Sequence, residues 1–276
     1  MTDRYAVIGN PISHSKSPLI HGLFAEATQQ DMGYTKIEGP PGGFAGAVDA
    51  FRQAGGRGLN VTAPFKLDAF AYATEASDRA TLAGAANAMK FDGDRVLAEN
   101  FDGVGLVRDV VHNLATVLRG RRVLLLGAGG AARGALLPFL AEAPGQLVIA
   151  NRSVGKAQAL AAIGLHSAGP IRITACTYGE LEGQQFDVIF NATSASLVGE
   201  LPPVPASVFA PGALAYELAY GKGLTPFLRL AQNAGAAQLA DGVGMLAEQA
   251  AEAFDWWRGV RPDTRAVIAA LTVPLV

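Results

Sequence analysis

Short apolar runs alternate with helical patterns along most of the chain. The first pairs are YAVIG (5–9) with SPLIHGLFAEAT (17–28), and YTKIEG (34–39) with FAGAVDAFRQAG (44–55). The β-branched run RGLNVTA (57–63) then precedes a long alanine-rich helical stretch that extends to Gly84. Alternation of strands and helices predicts parallel sheets in an α/β fold.

A hairpin interrupts this alternation. Its strands are ANAMKF (86–91) and DRVLAEN (94–100), and Asp92-Gly93 forms the turn. Strand patterns resume at 121–130 and continue at 146–153, 171–177, 187–194, 213–220 and 236–242. The proline-rich stretch at 201–212 is predicted to be a loop.

Composition narrows the class of protein. The chain has 276 residues, enough for two domains, and its formal net charge of -2 with no basic stripe argues against a nucleic-acid surface. The single cysteine, Cys176, excludes an internal disulfide and a zinc cluster of thiolates, and it suits a cytoplasmic location. Apolar runs are too short or too interrupted for a signal peptide or a membrane span. The histidines at 14, 21, 112 and 166 share no metal-ligand pattern, so we expect no metal site.

A glycine-rich loop follows the predicted strand at 121–126. It reads Gly127-Ala128-Gly129-Gly130-Ala131-Ala132 and leads into a helical run. A G-x-G-x-x-A loop between strand and helix lets a pyrophosphate approach the backbone amides of the helix N-terminus. This context predicts a dinucleotide site, and the alternative is a glycine-rich turn without a ligand.

The end of the next strand indicates which dinucleotide binds. An NAD site usually has Asp or Glu there, but this chain has Asn151-Arg152-Ser153, with Lys156 one turn later. Arg152 offers a planar fork for a 2′-phosphate and Lys156 adds a point charge, so we predict NADP rather than NAD. The alternative is that both cations are solvated residues at a helix start.

The first strand ends in a serine-rich loop. Ser17 before Pro18 has the form of an N-cap followed by the first helical residue, and Ser15 lies just before it. Hydroxyls and free amides at a helix N-terminus could bind a small carboxylate. Helix capping alone explains the same pattern equally well.

Another strand end, NVTAPFK, places Lys66 directly after a proline break. From this stretch alone, a surface lysine at a helix start is the favoured interpretation. A proton donor over a pocket is the alternative.

Together these stretches resemble the shikimate dehydrogenase family over nearly the whole chain. The matching motifs, in the family's order, are VIGNPISHSKSP, NVTAPFK, GAANAM, ENFDGVG, GAGGAARG, NRS, NATS and ADGVGMLAEQAAEAF. The resemblance implies NADP-dependent interconversion of 3-dehydroshikimate and shikimate. It also implies a substrate domain (1–102 plus 243–276) and a Rossmann-like NADP domain (103–242) with a cleft between them.

The resemblance also implies roles for individual residues. Lys66 is the general acid/base and Asp102 its partner. Substrate contacts fall to Ser15, Ser17, Asn60, Thr62, Asn87, Asp102, Tyr220 and Gln249. Cofactor contacts fall to Gly127, Ala128, Gly129, Gly130, Ala131, Asn151, Arg152, Ser153, Lys156, Thr193, Leu218 and Gly242.

Gln249 has independent support, because it adjoins an apolar helical stripe where an amide needs a partner; an exposed glutamine at the stripe's margin is the alternative.

The chain departs from the family pattern at several positions. Ala88 replaces the usual Thr, Glu217-Leu218 replaces Asp-Met, and Phe101 replaces the Thr before Asp102. Phe101 is expected to pack away from the substrate, because the predicted strand before it runs directly into this step. A pocket narrowed by Phe101 is the alternative.

Two other functions remain open. One is a dehydrogenase that also accepts or prefers quinate, and the other is a catalytically silent NADPH-binding regulator. The expected assembly is a monomer or a homodimer.

Overall fold

The computed structural model describes residues 2–165 and 169–276, apart from the side chain of residue 197. His166 lies outside the described residues. The chain divides into two compact units, Met1–Gly105 with Ala247–Val267 and Leu106–Leu246 with Ile268–Val276. Each unit contains a six-stranded sheet, and the predicted α/β class is confirmed.

The strands are β1 (Asp3–Gly9), β2 (Met32–Glu38), β3 (Gly56–Val61), β4 (Glu75–Ala76), β5 (Ala88–Asp92), β6 (Arg95–Glu99), β7 (Arg122–Leu126), β8 (Gln146–Ala150), β9 (Arg172–Cys176), β10 (Phe186–Asn191), β11 (Phe209–Glu217) and β12 (Gln238–Asp241). The α-helices are α1 (Ser17–Ala27), α2 (Phe44–Gln53), α3 (Lys66–Tyr72), α4 (Asp78–Ala83), α5 (Asp102–Arg108), α6 (Gly130–Ala141), α7 (Val154–Leu165), α8 (Pro226–Asn233), α9 (Val243–Arg258) and α10 (Arg265–Leu271). A π-helical turn, Asp109–Asn113, continues α5.

The sheet of the first unit has the order β2-β1-β3-β5-β6-β4. Strands β1, β2 and β3 are parallel, whereas β5 pairs antiparallel with both β3 and β6. The predicted hairpin is therefore confirmed. Because β3 and β5 are neighbours, residues near the end of β3 and the start of β5 lie close together.

The predicted alanine-rich helix up to Gly84 is wrong. It is divided into α3 and α4 by the short strand β4. Thr74 exchanges hydrogen bonds with Val96, since its amide donates to the Val96 carbonyl (2.9 Å) and its hydroxyl accepts from the Val96 amide (2.8 Å). Ser77 then caps α4 by accepting from the Ala80 amide at 3.1 Å. These local side-chain contacts offer the backbone an alternative to helix that alanine content does not reveal.

The sheet of the second unit is entirely parallel, with the order β12-β11-β10-β7-β8-β9. The strand order reverses between β7 and its neighbour β10, which is where α/β sheets bind ligands beyond the carboxyl ends of their strands. The proline-rich segment predicted as a loop ends earlier than expected, because β11 already begins at Phe209. Cys176 is buried at the end of β9, and burial raises the pKa of its thiol to about 11.

Candidate active site

Lys66 and Asp102 form an ion pair at the ends of two helices in the first unit. Lys66 is the first residue of α3, and its Nζ donates to Asp102 Oδ2 at 2.6 Å. The Asp102 side chain is 15% exposed and the Lys66 side chain 35% exposed, so the ammonium is held by a shielded carboxylate and still reaches solvent. This is the arrangement that a proton donor needs.

Asn87 joins this pair to Gln249. Its Nδ2 donates to Asp102 Oδ1 at 2.7 Å and to Gln249 Oε1 at 3.1 Å, so both amide hydrogens have acceptors. The Asn87 Oδ1 in turn accepts from the Phe101 amide at 2.8 Å. Four residues that the sequence marks separately, Lys66, Asp102, Asn87 and Gln249, therefore form one polar cluster.

The Phe101 side chain packs away from this cluster, as expected. It is 4% exposed and belongs to an apolar group with Tyr5, Ala88, Ala253 and Trp257. The expected reason was an extended segment, but β6 ends at Glu99 and helix α5 begins at Asp102. Residues 100 and 101 belong to neither element, so strand alternation does not account for the different directions of the Phe101 and Asp102 side chains.

Ser15 and Ser17 lie together at the start of α1, but the predicted N-cap is wrong. Lys16 occupies the N-cap position and makes no side-chain cap, while Ser17 is the first helical residue. Ser15 Oγ accepts from the Ser17 amide at 3.3 Å and lies 3.3 Å from Ser17 Oγ. The two hydroxyls therefore stand side by side, and capping by Ser17 does not explain its presence.

Asn60 lies near the end of β3, and Thr62 is the residue directly after the strand ends at Val61. The Thr62 amide still donates to the Ile8 carbonyl at 3.0 Å, so the pairing with β1 continues to this residue, and alternate residues of an extended chain share a face. Asn60 is buried (6% exposed), and its Nδ2 donates to the Asn87 carbonyl at 3.4 Å. Tyr220 lies in the second unit and is 40% exposed, and its predicted place beside Ser15 and Ser17 stays a prediction.

A second site lies at the carboxyl ends of the strands in the second unit. It is a cavity of about 520 Å³. The predicted cofactor residues that line it are Gly127, Ala128, Gly129, Asn151, Arg152, Ser153, Lys156 and Thr193. Gly130 and Ala131 do not line this cavity and begin helix α6 beside it. The loops after β7, β8 and β10 thus supply one concave surface.

The glycine loop has room for a phosphate. Gly127 has φ +103°, and a Cβ there would lie 3.1 Å from the Ala192 carbonyl oxygen, so this position requires glycine. A Cβ on Gly129 or Gly130 would meet nothing within 4 Å. The N-terminus of α6 has no side-chain cap, so its amides are available to an anion. These features fit a dinucleotide pyrophosphate.

Sequence reasoning missed several residues of this cavity. They are Tyr178, Ala192, Ser194, Ala195, Val198, Glu200, Leu201, Pro202 and Pro203. Tyr178 follows β9, whose last residue pairs with the last residue of β8, so strand order would have placed it near Arg152. Tyr178 and Arg152 line the same cavity. Burial raises the pKa of Tyr178, and the Arg152 charge acts in the opposite direction.

Leu218 and Gly242 approach each other elsewhere in the second unit. A Cβ on Gly242 would lie 2.2 Å from the Leu218 carbonyl oxygen, so only glycine fits there. Glu217, which precedes Leu218 in the chain, is fully buried. Its carboxylate accepts hydrogen bonds from Asn191 (2.9 Å), Thr225 (3.3 Å) and the Ser196 hydroxyl. Burial raises the pKa of Glu217, and these bonds oppose that shift. One carboxyl group therefore ties together the ends of β10 and β11.

Known proteins are similar to this chain over nearly its whole length. Family models match at residues 7–89 (shikimate dehydrogenase substrate binding domain), 109–198 (shikimate / quinate 5-dehydrogenase) and 242–272 (shikimate 5′-dehydrogenase C-terminal domain). The shikimate dehydrogenase (NADP(+)) of Aromatoleum aromaticum is 57% identical over 98% of this chain and 96% of that relative. The chain belongs to the shikimate dehydrogenase family.

Solved structures of similar proteins share the whole fold. An Ael1 enzyme from Pseudomonas putida is 63% identical, with a TM-score of 0.94 over 99% of this chain and 100% of that one. Shikimate 5-dehydrogenase from Thermus thermophilus, in complex with NADP(H) and shikimate, is 29% identical, with a TM-score of 0.85 over 98% of both chains. The membership of the shikimate dehydrogenase family that the sequence motifs indicated is therefore confirmed.

The described residues contain neither a candidate membrane span nor a candidate metal site. Among them, no helix has the length and apolarity that a membrane span requires. No group of three or more His, Cys, Asp or Glu side chains in that part of the chain is arranged to hold a metal ion.

Proposed function

We propose that this protein catalyses the reversible, NADP-dependent reduction of 3-dehydroshikimate to shikimate. The observation that carries the proposal is the Lys66–Asp102 ion pair within hydrogen-bond reach of Asn87 and, through it, Gln249. Full-length similarity to NADP-dependent shikimate dehydrogenases supports the same reaction. An intact acid and carboxylate pair also argues for an enzyme over a silent NADPH-binding regulator.

Lys66 supplies the proton in this mechanism. When bound, NADPH provides the hydride that reduces the ketone carbon. Negative charge then develops on the ketone oxygen, and the Lys66 ammonium donates its proton there. Asp102 holds Nζ in place through the 2.6 Å contact, and the partial exposure of Lys66 allows reprotonation from solvent. In the oxidation direction the neutral amine accepts the hydroxyl proton.

The substrate is bound by side chains of the first unit. In our proposal, Ser15 and Ser17 hold the carboxylate. The ring hydroxyls contact Asn60, Thr62, Asn87, Asp102 and Gln249. We propose residues 1–102 plus 243–276 as the substrate domain and residues 103–242 as the cofactor domain; the compact units differ from these bounds chiefly at Ile268–Val276, which belong to the second unit.

NADP is held by the loops after β7, β8 and β10. The amides of the glycine loop receive the pyrophosphate, and Arg152 with Lys156 receive the 2′-phosphate. Asn151, Ser153 and Thr193 line the same cavity. Leu218 and Gly242 meet the nicotinamide end through backbone atoms.

The test is the formation of reduced cofactor, followed by its ultraviolet absorbance, with shikimate and with quinate, each with NADP and with NAD. We expect the highest kcat/KM for shikimate with NADP. A higher kcat/KM for quinate would instead indicate the quinate-preferring alternative, and no turnover of either acid would contradict the proposal.

We also propose a cytoplasmic location and an assembly no larger than a homodimer. The lone, buried Cys176 suits a reducing compartment. Light scattering on the purified protein measures the assembly directly, and a mass above that of two chains would contradict this proposal.

A further inference from the structure

Tyr34 and His21 contact the buried amide of Asn60. The Tyr34 hydroxyl donates to Asn60 Oδ1 at 2.6 Å, and His21 Nε2 lies 2.9 Å from the same oxygen. The two rings stack with their centroids 4.2 Å apart and their planes 7° apart. His21 is fully buried and Asn60 is 6% exposed, so water competes little for this oxygen.

These contacts determine the orientation of the Asn60 amide, that is, the positions of its Oδ1 and Nδ2 atoms. Its Oδ1 receives the Tyr34 hydrogen, while its Nδ2 donates to the Asn87 carbonyl. A flipped amide would bring two oxygens together at Asn87 and remove the acceptor of Tyr34. Because Oδ1 only accepts, His21 Nε2 carries its ring hydrogen. Burial lowers the pKa of His21 to about 3, with the Asn60 hydrogen bond acting in the opposite direction, so the ring is neutral near pH 7.

Tyr34 also links Asn60 to Ser17. Burial raises the pKa of Tyr34 well above its ordinary value, and a hydrogen bond with the Ser17 side chain acts in the opposite direction. Ser17 begins α1 and Asn60 lies in β3. One phenol therefore joins two elements that each supply a proposed substrate contact.

We propose that Tyr34 and His21 are positioning residues for substrate binding, which hold Asn60 with its second Nδ2–H directed to a substrate hydroxyl. This inference rests on the proposed function. Nδ2 has two hydrogens, and the Asn87 carbonyl takes one of them. Without the Tyr34 and His21 donors, only the 3.4 Å contact with the Asn87 carbonyl would oppose rotation of the amide, so binding of the substrate would weaken.

The test compares steady-state kinetics of Tyr34→Phe with those of the wild type. This change keeps the stacked ring and removes only the hydroxyl. We expect KM for shikimate to rise about 3- to 10-fold, the loss of roughly one hydrogen bond, with kcat and KM for NADP unchanged. His21→Phe should act in the same direction. The matched control is Tyr72→Phe, which loses contacts with Asp49 and Arg52 in the same unit and should leave KM for shikimate unchanged.

A double-mutant cycle separates positioning from general stability. In an Asn60→Ala background, Tyr34→Phe should raise KM for shikimate clearly less than in the wild type, because only its contact with Ser17 is then lost. The inference is overturned by an unchanged KM in Tyr34→Phe, whether or not the Tm falls, and equally by the same rise in both backgrounds. A wild-type enzyme that does not turn over shikimate would overturn the proposed function as well, which distinguishes the two failures.

Discussion

Lys66 depends on its neighbours for its chemistry. A lysine after a proline break is usually a surface residue, but here a carboxylate that is 15% exposed accepts from its ammonium, and Asn87 holds the other oxygen of that carboxylate. A charge-assisted contact of this kind restricts a long, flexible side chain to one position. The residue's role therefore follows from the cluster rather than from its own place in the sequence.

Replacing Lys66 tests this role directly. We expect Lys66→Ala to lower kcat by about 10²- to 10⁴-fold, the usual range for loss of a general acid, with a smaller effect on KM for shikimate. The control is Lys90→Ala, which removes another part-buried lysine of the same unit, one that donates to the Trp256 carbonyl. A Lys66→Ala enzyme that keeps most of its kcat would show that another group delivers the proton.

Arg152 should decide the choice between NADP and NAD. Arg152→Ala is expected to weaken NADP binding by roughly 1.5–3 kcal/mol, or about one to two decades in Kd, with little effect on NAD, because only NADP has the 2′-phosphate. Titration calorimetry with both cofactors measures the difference. The control is Arg172→Ala, which replaces the first residue of β9, at the end of that strand away from the cofactor cavity. Equal losses for both cofactors would mean that Arg152 does not contact the phosphate.

Among the elements, strand ends are the parts whose chemistry the sequence predicts best. The loops after β7, β8 and β10 carry polar or glycine-rich motifs directly after buried strands, and a parallel sheet brings such ends to one edge. Tyr178 was missed because no motif surrounds it and only the pairing of β9 with β8 places it there. Ser77 and Thr74 were missed for a similar reason, since their hydrogen bonds depend on β6 or on local capping rather than on apolar periodicity.

The junction between β6 and α5 allows a prediction about stability. Phe101→Thr should lower the free energy of unfolding by about 3 kcal/mol, because it removes a buried ring and leaves a cavity beside Tyr5 and Trp257. KM for shikimate should stay near its wild-type value. Phe101→Leu is the control and should lose less stability. Urea unfolding and kinetics on the same preparations measure both quantities, and a changed KM with unchanged stability would place Phe101 in the substrate site.

In the molecule as a whole, the unfolding of the first unit can be followed separately from that of the second. The chain has two tryptophans, Trp256 and Trp257, and both belong to the first unit. Trp257 lies near His21, with ring centroids 5.4 Å apart. Tryptophan fluorescence therefore reports the unfolding of the unit that contains the proposed substrate site.

His21 should make that unfolding depend on pH. Its pKa falls from 6.5 to about 3 on folding, so between these values the unfolded chain binds the extra proton. The contribution of the neutral, buried ring to the free energy of unfolding is therefore fully present above pH 6.5. It is lost as the pH falls below this value, at up to about 1.4 kcal/mol per pH unit. The free energy of unfolding can be measured with urea and tryptophan fluorescence from about pH 8 to about pH 5. Below pH 6.5 it should fall less steeply with decreasing pH in His21→Phe than in the wild type. His14→Gln, which removes an exposed histidine, is the control, and its free energy of unfolding should depend on pH as in the wild type. If the free energy of unfolding depended on pH equally in the wild type and in His21→Phe, the buried ring would gain its proton without unfolding of the first unit.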